Sequence, residues 1–252
     1  LSILTTDLVP KSVTTTVKLS GGKIRLTGIC KGSGMIHPQM ATMLGYILTD
    51  LKLTPALAQA LLVESTNVSF NMISVDGDCS TNDSNFLLAS GASGVELQDE
   101  ADLAKFKKAL IEVSQFLAKA IAADGEGATK LVEVELKGAL SLEMARKAAR
   151  GVILSPLVKC AIHGEDPNWG RILSRLGAEQ VPASALDRLV LKLQGITLFR
   201  DGQPVDFDRE KTRSLLKTNK VQIEIDLKSG SESATAWGCD LSKRYVDINT
   251  EY

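Results

Sequence analysis

Two histidines, His37 and His163, are all the imidazole in this 252-residue chain, so proton transfer near neutral pH has few ordinary carriers. His37 precedes Pro38, and His163 sits in the turn-like run AIHGEDPNWG. Neither stands in a nucleophile elbow, and no G-x-S-x-G occurs. If the chain transfers an acyl group, its base is therefore not imidazole. A threonine at a chain terminus offers another route, because its own α-amino group takes the hydroxyl proton. Such an amine has an ordinary pKa of about 8. A lysine would have to come down from about 10.4, at about 3 kcal/mol of differential stabilisation, to match it. Thr42, between Ala41 and Met43 in KGSGMIHPQMATMLGYILTD, is the candidate. Exposing its amine requires a cut at Ala41–Thr42, which the small Ala41 and an N-to-O shift through the threonine hydroxyl permit. On residue types alone, Thr42 is either this nucleophile or a satisfied core hydroxyl.

Other chemistry-bearing residues carry two readings as well. Lys31 in KGSG and Glu126 in DGEGATK are solvated charges on glycine-bearing loops or contacts to a substrate. Cys160 and His163 lie three apart, but two ligands without partners read as a half-buried cysteine and a loop histidine, not as a metal site. The acidic run DGDCSTND lacks the spacing and terminal Glu of a calcium loop and reads as a hydrogen-bonded turn. Trp169 and Arg171 in NWGR read as anchors of the helix that follows.

The bulk numbers narrow the classes. Lys and Arg total 29 against 30 Asp and Glu, and 4% of residues are aromatic. There is no basic field with interleaved aromatics for nucleic acid, and none for an anionic membrane. No apolar run reaches the length of a membrane span, and LSILTTDLVPKS lacks the charged lead and long apolar core of a signal peptide. Cys30, Cys79, Cys160 and Cys239 are widely separated, as in reduced thiols of a cytosolic compartment.

These residues need elements to position them. Residues 13–29 alternate around Gly21-Gly22 as a hairpin. Thr54-Pro55 opens a helix to about Val63. VSFNMISVDGDCSTNDS reads as a strand entering a polar loop. Leu103, Phe106, Leu110, Val113, Leu117 and Ile121 fall at helical spacing, which predicts a helix over 102–121. A strand at 131–136 precedes a helix from Ser141 that stops near Gly151. A short helix, ILSRL, ends at Gly177. Strands follow at 189–193 and 221–227, with a last one near Tyr245–Ile248. Half-buried strands among amphipathic helices imply an α+β layered fold with largely antiparallel sheets, in one compact unit.

In combination the polar loops carry a resemblance. LTTD, KGSGMIHPQMATML, SVDGDCSTND, ADGEGATK, KCAIHGEDPNWGR, ATAWGCDL and the INTEY end closely resemble the ornithine acetyltransferase family, the bifunctional glutamate N-acetyltransferase of arginine biosynthesis. The resemblance runs along essentially the whole chain. It implies an αββα-type sandwich, similar in layout to N-terminal-nucleophile hydrolases but distinct in topology. It also implies a precursor that cuts itself at Ala41–Thr42. Residues 1–41 would then end an α chain, and 42–252 would form a β chain whose nucleophile is Thr42. Matched position by position, the implied substrate contacts are Thr5, Lys31, Thr42, Glu126 and Asn249. The implied reaction moves acetyl from N-acetylornithine to glutamate by a ping-pong route through acetyl-Thr42. It needs no metal or cofactor, and acetyl-CoA is a second donor in bifunctional members. The α and β chains would assemble as a heterotetramer in the cytoplasm, or in the mitochondrial matrix of a eukaryote. Family members carry a long segment before LTTD with a Thr-Gly pair for the oxyanion hole, and a further hydroxyl beyond EY. The chain is accordingly expected to be a fragment or one part of a divided enzyme. Two rival readings are a self-cleaving aminopeptidase or amidase, and a non-catalytic fragment.

Overall fold

In the computed structural model, residues 2–37, 43–79 and 82–251 are described. Strands β1 (Lys11–Leu19) and β2 (Gly22–Lys31) form the expected antiparallel hairpin. Strand β3 (Leu44–Thr49) adds antiparallel to β2. Helix α1 (Pro55–Asn67) is capped by Thr54, whose hydroxyl accepts from the Leu57 N–H, and runs four residues past the predicted end. The apolar run after it is mostly a single 3-10 turn at Phe70–Met72. Its strand character is confined to β4 (Ile73–Ser74). Strand β5 (Ser84–Ala89) lies parallel to β3, giving a sheet of order β1-β2-β3-β5.

Helix α2 (Glu100–Ala123) covers one face of that sheet, capped by Asp99. Phe106, Leu110, Val113, Leu117 and Ile121 are buried, as the periodicity requires. Gly28 sets how close the helix comes: a Cβ there would lie 2.7 Å from both Val113 and Leu117. The sheet supplies Ile24, Leu26, Cys30 and Ile47 to this core. Burial pushes the Cys30 thiol up to about 12, which makes it an inert core residue.

The chain groups into two units, Leu1–Asp124 and Gly125–Tyr252, where one was expected. In the second, β6 (Leu131–Ala139) leads to α3 (Leu142–Leu154), α4 (Pro156–His163), α5 (Trp169–Ala178) and the short α6 (Ala183–Leu186). There follow β7 (Val190–Leu193), β8 (Ile196–Arg200), β9 (Gln203–Pro204), α7 (Arg209–Leu215), β10 (Lys220–Asp226), β11 (Glu232–Cys239) and α8 (Lys243–Thr250). The strand order within this unit is β11-β6-β10-β7-β8-β9. Among the described strands of this unit the β6–β10 pair alone is parallel, as β3–β5 is in the first, so the sheets are largely antiparallel. Helix α3 packs its alanine-rich face, with Val152 and Ile153, on β6 and β11.

Three expectations are corrected here. Gly151 does not stop α3. It is buried inside the helix, where a Cβ would meet the Glu179 side chain at 2.4 Å, so the glycine makes room and does not terminate. Gly177 likewise lies within α5. Residues 245–248 are helical, not extended: Ser242 caps α8 through the Arg244 N–H, and four residues are too few to tell the periods apart. Among the described residues, no helix is long and apolar enough to cross a membrane.

Candidate active site

Ala41 and Thr42, and with them the expected cleavage point, lie outside the described residues. The chain is described up to His37 and again from Met43, and residues of the run SVDGDCSTND hold both of these stretches. Asp76 accepts the N–H groups of Met35 (2.7 Å) and Ile36 (3.0 Å). The Val75 N–H and the Ser74 hydroxyl donate to the Ile36 carbonyl at 2.7 and 3.0 Å. On the far side, Asp83 Oδ1 accepts from the N–H of Met43, the residue after Thr42. The Asp78 N–H donates to Asp76 Oδ1 at 3.1 Å, so the described start of the run is a hydrogen-bonded turn, as its composition suggested, and Asp76 and Asp83 also act as a clamp. Asp83 is buried, and its Oδ2 has no hydrogen-bond partner among the described residues. Burial pushes its carboxyl up to about 6, against the pull of the Met43 N–H and the Lys31 ammonium. Burial also raises Asp76, although three N–H groups oppose it.

Lys31 ends β2 and is 7% exposed. Among the described residues no hydrogen bond or ion pair engages its ammonium, and its electrostatic neighbour is Asp83. A buried cation left in that state is costly unless an anion completes it. The Lys31 loop is laced to the LTTD loop that holds Thr5. Asp7 Oδ1 accepts the Gly32 N–H at 2.7 Å, Asp7 Oδ2 accepts the Thr5 N–H at 3.3 Å, and the Thr6 and Ser33 hydroxyls are 2.6 Å apart. Behind them Lys11 Nζ lies 2.7 Å from Asp7 and 2.5 Å from Asp124, all three side chains nearly inaccessible. Burial would raise the Asp7 carboxyl, but the Gly32 N–H and the Lys11 ammonium more than offset it, so it sits below its ordinary range. Thr5 itself is exposed. A cavity of about 280 Å³ opens beside Met43 and Asp83, lined also by Leu62, Val63 and Phe70. Lys31 does not line it, so this cavity is not the space that Lys31 serves.

In the second unit, Glu126 and Asn249 come together. Asn249 Nδ2 donates to Glu126 Oε2 at 2.9 Å and to the Tyr245 carbonyl at 3.0 Å. The glycines beside Glu126 explain the fit. Gly127 has φ +69°, and a Cβ there would stand 2.4 Å from the Tyr245 nitrogen. Ser242, the cap of α8, donates its hydroxyl to the Gly127 carbonyl at 2.6 Å. The rest of the loop hangs on Asp240, which accepts Thr129 N–H (2.7 Å), Thr129 Oγ–H (2.6 Å) and Lys130 N–H (2.9 Å), and lies 2.7 Å from His163 Nδ1. Burial works against the Asp240 carboxylate, but those donors hold its carboxyl below the usual range. His163 is therefore paired with a buried carboxylate at the end of α4. Cys160 is exposed, where a half-buried thiol was expected. Trp169 packs on Phe199, and Arg171 donates to the Leu157 carbonyl at 2.8 Å, which suits anchoring roles.

The whole of residues 1–252 matches the family model described as "ArgJ family". The chain belongs to the ArgJ family. It is 48% identical to the "Arginine biosynthesis bifunctional protein ArgJ" of Lactococcus lactis subsp. lactis (strain IL1403), over 100% of this chain and 63% of that protein. It is 46% identical to the protein of the same name from Parasynechococcus marenigrum (strain WH8102), over 100% of this chain and 60% of that one. The chain thus spans less than two thirds of these curated relatives. The crystal structure of an arginine biosynthesis bifunctional protein argJ from Bacillus halodurans superposes with a TM-score of 0.80 at 39% identity, covering 84% of this chain and 100% of that one. The α+β layered fold is therefore that of ArgJ proteins. Sequence reasoning missed Asp7, Lys11, Asp76, Asp83, Asp124 and Asp240 as organisers of the site loops. Asp76 and Asp83 carried a signal as members of the acidic run, and Asp7, Asp124 and Asp240 lay in the quoted LTTD, ADGEGATK and ATAWGCDL loops, whereas Lys11 lay in none.

Proposed function

We propose that this chain is part of a glutamate N-acetyltransferase that passes acetyl from N-acetylornithine to glutamate through Thr42. The observation that carries the reading is the chain-long ArgJ match, whose relatives are named bifunctional proteins of arginine biosynthesis. The geometry supports it with a buried cation, Lys31, whose ammonium no hydrogen bond or ion pair engages among the described residues, suited to the α-carboxylate that donor and acceptor share. The proposed precursor cuts itself at Ala41–Thr42. The two pieces would stay joined, since β2 and β3 pair across the cut from Leu26↔Thr49 to Lys31↔Leu44.

In the first half-reaction Thr42 Oγ attacks the acetyl carbonyl carbon as its proton passes to the Thr42 α-amine. The carbonyl π pair moves onto oxygen. Collapse breaks the C–N bond, and the leaving ornithine nitrogen takes the proton from the α-ammonium. Glutamate's neutral amine then attacks the acetyl-threonine ester, gives up a proton and returns Oγ–H. Glu126, one oxygen held by Asn249, offers its other oxygen to an ammonium or amide N–H of the substrate, and Thr5 fixes orientation. Acetyl-CoA is proposed as the second donor, and two α and two β chains as the assembly.

Intact mass and N-terminal sequencing of the full-length protein test the cut: a fragment beginning at Thr42 is expected, and a wholly uncut, active chain refutes the mechanism. Thr42→Ala is expected to abolish both cutting and transfer. Assay with and without glutamate separates transfer from hydrolysis, since an amidase releases acetate at the same rate either way.

A further inference from the structure

Lys31 and Thr5 stand on two loops that one carboxylate ties together. Asp7 spends one oxygen on the Gly32 N–H and the Lys11 ammonium, and the other on the Thr5 N–H. Gly32 directly follows Lys31, and its φ of +145° keeps the chain in a conformation that glycine adopts without strain. The Thr6–Ser33 hydroxyl contact adds a second latch between the same loops. Behind Asp7, the Lys11 ammonium also meets Asp124, which in turn accepts the Leu8 N–H at 3.0 Å. The network ends in the main-chain N–H groups of Thr5, Leu8, Val9 and Gly32, and leaves the Lys31 ammonium itself unengaged among the described residues.

We infer that Asp7 is a positioning residue for substrate binding, fixing the backbone at Thr5 and Gly32 so that the Lys31 ammonium stands where the substrate carboxylate arrives. This rests on the reading of Lys31 as a carboxylate contact. Lys11 and Asp124 serve the same end one step further back: the lysine holds Asp7 in place, and Asp124 shares its charge. The alternative, a cluster that merely stabilises the fold, makes a different prediction about coupling.

The measurement is a double-mutant cycle in the full-length protein, with kcat and KM for N-acetylornithine and for glutamate. Asp7→Asn is the main variant. Its amide cannot accept at both ends, so either Gly32 or Thr5 loses its partner. KM should rise about tenfold with kcat little changed, the pattern of lost uniform binding. In a Lys31→Met background, Asp7→Asn should add less than about twofold, because the group it positions is gone. Thr6→Val is the milder second variant, to be used alone if Asp7→Asn does not fold. It removes one hydroxyl contact and should raise KM about threefold, again only while Lys31 is present. If the effects of either variant on KM are undiminished in the Lys31→Met background, or if KM does not move in folded protein, the positioning role is refuted. If Lys31→Met itself leaves KM unchanged, the carboxylate contact fails instead, and the two failures are told apart.

Discussion

Lys11 and Lys31 begin and end the same hairpin, both buried, at 3% and 7% exposure. Their surroundings are opposite. Lys11 is held between two carboxylates, within 2.7 Å of Asp7 and 2.5 Å of Asp124. Lys31 has no such partner among the described residues and feels Asp83 only at a distance. The carboxylates divide the same way. Asp7, beside its lysine, is held below its ordinary range, whereas Asp83, with one oxygen unsatisfied among the described residues, is pushed up to about 6. Satisfied buried charge belongs to architecture, and unsatisfied buried charge marks where something else must bind. On the proposed function, the difference fits one lysine to the scaffold and the other to the substrate carboxylate.

The largest effect expected from breaking this contrast is on Lys11. Lys11→Met leaves two buried carboxylates facing each other without their cation, which costs about 3–5 kcal/mol. Chemical denaturation should show that loss, and a melt within a degree or two of the parent would mean the cluster is not the anchor described. Lys31→Met should behave in the opposite way. Removing a cation that no hydrogen bond or ion pair engages among the described residues leaves stability equal or higher, while kcat/KM falls about ten- to two-hundredfold, the worth of a charge-assisted hydrogen bond of about 1.5–3 kcal/mol. A variant that melts early yet keeps its kinetics would turn the assignment around.

Asp83 sharpens the comparison through pH. Its carboxyl is raised in the folded state from 3.8 to about 6, so the native chain binds that proton more tightly than the unfolded one. The contribution is therefore unfavourable at high pH, develops as pH rises from about 4 to about 6, and is complete above that range. The full shift sets a ceiling of about 3 kcal/mol, and about 1–2 kcal/mol is the expected gain of Asp83→Asn at pH 8. An asparagine oxygen still accepts the Met43 N–H. Melts of both proteins across pH 4–8 should diverge upward, and parallel curves would show that Asp83 is not strained by burial.

Much of the frame was legible before any coordinates. The helix over 102–121 was readable because six apolar residues hold one period, and all but Leu103 of them are buried. The strands at 131–136 and 221–227 alternate cleanly, and β6 and β10 lie there. What failed was local: a glycine read as a stop where it makes room for Glu179, and a four-residue stretch read as a strand where Ser242 starts a helix. The charge network was illegible for another reason. Lys11 looks like any polar residue opening a strand, and its partner Asp124 is 113 positions away. The Glu126–Asn249 contact spans 123 positions. Only the family's loops had marked those two residues, and the structure gives them a hydrogen bond.

That contact carries the smallest effect. Asn249 is exposed on α8, so its removal should leave the melt unchanged. Its amide donates to Glu126 Oε2 and to the Tyr245 carbonyl, the latter within its own helix. Losing the Glu126 bond frees that side chain to rotate, and a half-exposed hydrogen bond of this kind is worth about 1 kcal/mol, or about fivefold. Asn249→Ala should therefore raise KM about fivefold if the asparagine acts by aiming Glu126. In a Glu126→Gln background, where the amide still accepts but the charge is gone, the penalty should shrink to less than about twofold, as it does for residues that act through one another. An undiminished penalty would mean that Asn249 meets the substrate by itself. No change in KM from Asn249→Ala would reduce the pair to an ordinary surface contact, whereas the proposed role of Lys31, which is buried and without an ion pair among the described residues, would stand.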